Sequence, residues 1–257
     1  MIAAAVSADA VAYVWHEEVF VAGADGTLRE HFPAVAGVKQ MVWVGDRLVV
    51  GGEDTLQVWE HGKLQVTLQP AVSWRFGLRD AGEGKVYALG MQQAGLVDLA
   101  TGAVTDIPGV RGDDLVDILA GSAVVSGRGF QPPGGVMMLP PQVAQVWGCH
   151  LLAVDRVACP ESGGVVVRRM AGDFLAVVPG DRVLAASAET FVASAAGAST
   201  WYRWDGVPLA QLGAATDVAV GGAGVAYLDG DHWRLGVDVG KVIDLPVPAP
   251  APAAKGK

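Results

Sequence analysis

A short apolar run returns seven times along the chain, at Val11, Leu48, Val86, Ala123, Val157, Thr190 and Val225. Successive anchors stand about 33 to 38 residues apart. A period of that length belongs to arrays in which one supersecondary unit cannot bury its apolar face alone and stacks on the next. A single continuous sheet has no reason to repeat itself in this way.

The units read as strands. In the second, KQMVWV stops at Gly45-Asp46, RLVVGG at Glu53-Asp54, TLQVWE at His61-Gly62 and KLQVTL at Pro70. The seventh repeats the pattern with ATDVAV, VAYLDG, HWRLGVDV and KVIDLP. A helix would need apolar positions at i, i+3, i+4 and i+7 without interruption, and 35 glycines break nearly every such window. Four short hairpin-linked strands form one antiparallel propeller blade. The expectation is therefore an all-β, single-domain, seven-bladed β-propeller of four-stranded antiparallel blades. Their limits fall near residues 1–34, 35–71, 72–110, 111–148, 149–180, 181–213 and 214–247. The fourth unit is interrupted by SGRGFQPPGG, read as a loop between its second and third strands. Residues 248–257, PAPAPAAKGK, read as a solvated, disordered Pro/Ala-rich tail with nothing to bury.

Within the third unit, KVYALGMQQAGLVDLATGAVTD resembles the repeat of the quinoprotein-type propellers through Val86, Tyr87, Ala88, Leu89, Asp98, Leu99, Thr101 and Gly102. The second is also similar to WD40-like blades through Val58-Trp59. The turn has a physical reading: Asp98 and Thr101 bond turn amides, and Gly102 accepts positive φ. Departures limit the likeness. The closing Trp of the quinoprotein motif and a vicinal cysteine pair are absent, only the third unit has the Thr-Gly turn, and Trp-Asp occurs only at Trp204-Asp205. The resemblance implies a degenerate bacterial-type propeller of no assigned subfamily, without a bound quinone.

Charge narrows the partner. A net charge of −9 and a sequence pI near 4.9 argue against nucleic acid, whose phosphates demand clustered Lys and Arg. No apolar run approaches the roughly 18 residues of a membrane helix. The start, MIAAAVSADAVAYVW, lacks a basic leader and is broken by Asp9, so it reads as strands and not as a signal peptide. A cytoplasmic location follows as an expectation, with Cys149 and Cys159 as buried thiols on neighbouring strands.

Catalytic signatures are weak. The G-x-S-x-G elbow and CxxC spacing are both missing. His16-Glu17-Glu18 falls in a hairpin, not on a metal-binding helix, and Asp229-Gly230-Asp231-His232 reads as a polar turn. No cofactor and no metal are expected.

Sorting loops by face is more informative. In a propeller, second-to-third strand loops share a rim with the connections between blades. That rim collects Glu17, Glu18, Glu53, Asp54, Glu161, Asp229 and Asp231 against Arg128, and with SGRGFQPPGG it also carries Phe130, Gln131, Pro132 and Pro133. The expectation is a non-catalytic protein–protein interaction scaffold that meets a basic protein surface. The alternative is a propeller hydrolase or lyase with a divalent cation at the channel mouth, drawing on Glu17, Glu53, Glu161, Asp229 and His232. Of eight tryptophans, Trp43, Trp59 and Trp233 are expected between blades, while Trp15, Trp74, Trp147, Trp201 and Trp204, near strand ends, supply one or two exposed anchors.

Overall fold

The computed structural model describes residues 4–74, 77–90, 93–107, 115–125, 129–133 and 146–247. The tail at 248–257 lies outside the described residues, as does Arg128. The chain is all-β, and its strands group into seven antiparallel sheets, each built from consecutive strands in the order first, second, third, fourth. The sheet of the fourth repeat shows three strands among the described residues. Blade 2 illustrates the pattern with Gln40–Val44, Arg47–Gly51, Leu56–Glu60 and Lys63–Leu68.

The first strands of successive sheets pack against one another around a complete circle: Ala4–Val6, Gln40–Val44, Gly77–Gly82, Leu115–Leu119, His150–Ala153, Arg182–Ala186 and Thr216–Gly221, then back to Ala4–Val6. This is a closed seven-bladed propeller. Its core is correspondingly divided into seven apolar clusters, one between each pair of neighbouring blades. The seven sequence anchors all fall in second strands, which are covered on both faces by the adjacent blades and so read as unbroken apolar runs. Fourth strands lie at the periphery and are largely exposed, as Leu28–Pro33 and Lys63–Leu68 show.

Among the described residues no strand is exchanged between the first and seventh blades. Blade 7 closes on blade 1 by side-chain packing, with Trp233, Leu235 and Leu245 against Val11, Tyr13 and Phe20. The Trp233 indole donates to the Val14 carbonyl at 3.0 Å, Tyr13 Oη donates to the Pro246 carbonyl, and the Ala223 amide donates to Ser7 O at 2.7 Å. Gly221 permits this contact, because a Cβ there would stand 2.2 Å from the Val6 carbonyl oxygen.

Local turn chemistry follows the residues. Asp98 accepts from the Ala100 and Thr101 amides at 3.0 and 2.9 Å, and Gly102 sits at φ +74°. One expectation is corrected. Cys149 and Cys159 are joined in a disulfide, because antiparallel pairing of His150 with Ala158 brings the two directly opposite, with Cα atoms 4.2 Å apart. Trp43, Trp59 and Trp233 lie in blade interfaces. Of the remaining five, Trp74 and Trp201 are buried and only Trp147 is well exposed, at 59%.

Candidate functional site

The second-to-third strand turns of blades 7, 1 and 2, which are consecutive around the ring, bring most of the expected acidic residues onto one arc of one rim. In blade 1 the two-residue turn His16-Glu17 has φ of 47° and 65°, and Glu18 opens the next strand. Glu53 and Asp54 occupy the equivalent loop of blade 2, and Asp229 and Asp231 flank Gly230 in blade 7. Glu17, Glu53, Asp54 and Asp231 are exposed; Glu18 and Asp229 are half-buried.

The arc is less uniformly negative than the loops suggest. Lys39, in the connection from blade 1 to blade 2, lies 3.6 Å from Glu53, and Arg234 reaches Asp229 at 2.9 Å. Both cations were outside a count made on the second-to-third loops alone. His232 Nε2 stands 3.0 Å from Asp231. Among the described residues Glu17, Glu18 and Asp54 make no ion pair, leaving them and Asp231 as the outward charge of the arc.

Glu161 is removed from the set. It belongs to blade 5, distant along the ring, where Arg168 donates to both its carboxylate oxygens at 2.8 Å. The two side chains are only 13% and 9% exposed, so the pair is part of blade 5's framework.

The fourth blade requires a larger correction. Gly129–Gln131, inside the segment expected to be a loop, is itself the third strand, paired with Ser122–Val125. Phe130, expected in solvent, is 0% exposed and packs with Val124, Val146, Leu151 and the disulfide. Gln131 pairs with Ala123 at the far end of the sheet, and Pro133 lies over Gly121 in the first-to-second turn. Gln131, Pro132 and Pro133 therefore belong to the opposite rim from Glu17 and Asp54. Arg128 lies outside the described residues.

The residues of the cation-dependent alternative do not come together. Glu17, Glu53, Glu161 and the Asp229/His232 pair stand on blades 1, 2, 5 and 7, at mid-blade turns and not at the inner strands that line the channel. Among the described residues no three His, Cys, Asp or Glu side chains are grouped to hold a metal ion.

The central channel holds a polar cluster that the loop sorting missed. It encloses about 330 Å³ and is lined by residues of all seven first strands, mostly aliphatic. Asp117, 3% exposed on the first strand of blade 4, accepts from Arg79 Nε of blade 3 at 3.0 Å and from the Leu151 amide of blade 5 at 3.0 Å. His150 Nδ1, also from blade 5, stands 3.6 Å from its other oxygen. Burial pushes the carboxyl up, but the Arg79 guanidinium, His150 and the Leu151 amide outweigh it and hold Asp117 well below the usual carboxylate range. The carboxylate thereby ties three blades together at the axis. The readable signal is the spacing: Arg79 and Asp117 are 38 residues apart, one repeat.

No protein-family model matches the chain, and no curated protein matches it. Among solved structures, it is similar to PorZ, described as an essential bacterial surface component of the type-IX secretion system of Porphyromonas gingivalis, with a TM-score of 0.67 at 12% identity. That match covers 96% of this chain but 38% of the PorZ chain, so this chain spans well under half of it. It is also similar to a chain of a Saccharomyces cerevisiae assembly of Dbp5 bound to Nup159, Gle1, IP6 and ADP, with a TM-score of 0.54, 11% identity, and coverage of 89% of this chain and 86% of that one. At these identities the likeness is one of fold.

Proposed function

We propose that this propeller is a non-catalytic interaction scaffold, a subunit of a multiprotein assembly, which docks a basic protein surface on the rim of blades 7, 1 and 2. The observation that carries the reading is the placement of Glu17, Glu18, Asp54 and Asp231 on short hairpins of three consecutive blades, with no lysine or arginine among the described residues engaging them. Carboxylates fixed in this way on a rigid frame attract a complementary surface over long range and lose little freedom when it arrives. The similar structures come from a secretion-system surface component and from a multiprotein complex, and a scaffold role is compatible with both. The Asp98 turn further supports a quinoprotein-type ancestry for the repeat.

The test is affinity purification from the native cell with the tagged full chain and with a Glu17→Lys, Asp54→Lys, Asp231→Lys variant, matched for thermal stability. Recovery of the co-purifying protein should fall about tenfold or more, and wild-type recovery should fall with added salt. Undiminished recovery by the variant would sink the proposal.

A further inference from the structure

A second feature lies on the opposite rim, a cleft where blades 1 and 2 meet. The cleft holds about 280 Å³, room for one long side chain. Its walls are the Ser7–Asp9 turn and residues Arg29 and Glu30 of blade 1, and the Gly45-Asp46 and His61-Gly62 turns of blade 2. Its floor is aromatic. Phe32 and Trp59 stack with ring centroids 3.9 Å apart and planes 15° from parallel. Trp43 lines the cleft beside them, over buried Leu48 and Val21.

The polar edges of both indoles are already satisfied, Trp43 donating to the Ala5 carbonyl at 3.2 Å and Trp59 to Gln57 Oε1 at 3.1 Å. What remains for an occupant is ring surface, which attracts a cation. The carboxylates agree. Asp9 is paired with Arg29 at 3.1 Å, whereas Glu30, half-buried beside Gly62, and Asp46, exposed on its turn, make no side-chain hydrogen bond or ion pair among the described residues. Three carboxylates thus face one guanidinium in a narrow aromatic-floored cleft.

We propose that this cleft receives an arginine side chain from an extended segment of a protein partner. A guanidinium is planar, stacks on an indole and spans two carboxylates, a combination an ammonium meets less well. The site stands on the rim opposite to the Glu17–Asp54–Asp231 arc, so either can fail without the other.

The probe is the capped peptide Gly-Ser-Arg-Ser-Gly, titrated into the ¹⁵N-labelled full chain, with Gly-Ser-Gln-Ser-Gly as the neutral counterpart. The arginine peptide should produce saturable shifts of the Trp59 indole N–H and the Gly62 amide, and the glutamine peptide none. In a Glu30→Gln, Asp46→Asn variant the affinity should drop about fivefold or more. Neither side chain has a partner among the described residues, so the rest of the spectrum should be unchanged. Absence of saturation, equal shifts with the glutamine peptide, unchanged affinity in the variant, or shifts confined to the Glu17 and Asp54 amides would each overturn the proposal.

Discussion

Asp117 shows what a single residue does at the axis of this ring. It is a fully buried carboxylate shared by three blades, held ionised by Arg79 and, from blade 5, by the Leu151 amide and the nearby His150. Its folded-state pKa is depressed, so the stability it contributes is complete above the unfolded carboxyl's value of about 3.9 and is lost as pH falls below it. Asp117→Asn should cost about 2 kcal/mol at neutral pH, since Arg79 remains partly solvated, and urea denaturation should show a gap between the two proteins that narrows below pH 4. A gap that stays constant to pH 2 would mean the charge is not what matters. This residue was invisible to a search for catalytic motifs because its partners lie one repeat away on either side. Phe130 was hidden for the opposite reason: its three-residue strand opens on Gly129 and is followed by Pro132 and Pro133, so local chemistry reads as loop while pairing with Val124 makes it core. The cysteines were read as thiols from an expected cytoplasmic setting. A disulfide is the state an oxidising compartment maintains, and the pairing of the two strands favours it.

At the scale of elements, what the sequence made legible tracks burial. Second strands, covered on both faces, carry the unbroken apolar triplets that set the period. Fourth strands such as Lys63–Leu68, half in solvent, carry little pattern and are recognised only by the turns before them. Closure of the ring was not legible, because it joins residues such as Val14 and Trp233 across 219 positions by side-chain contact. The seam also depends on close backbone approach at Gly221. Gly221→Ala should force the first strands of blades 7 and 1 apart and lower stability by about 2 kcal/mol or more in chemical denaturation, whereas a loss within about 0.5 kcal/mol would place the closing contact elsewhere.

For the whole molecule, the period by itself assigns charges to rims, and Glu17, Glu18, Glu53, Asp54, Asp229 and Asp231 do share one rim. The ring order adds that blades 7, 1 and 2 are consecutive, which converts scattered acids into an arc. Glu161 was beyond such sorting because its charge is consumed by Arg168, on the neighbouring strand of the same sheet. The aromatic cleft between blades 1 and 2 was equally beyond it, since Phe32 and Trp59 meet only when two blades stack. The most direct test of the scaffold reading is site-specific photocrosslinking in the native cell, with the photoreactive residue at Glu17, Asp54 or Asp231 and, for comparison, at Asp155 or Asp205 on the opposite rim of blades 5 and 6. Discrete adducts with a partner from the three arc positions and none from the two comparison positions is the predicted result. Adducts from Asp155 and Asp205 alone, or from none of the five, would contradict it.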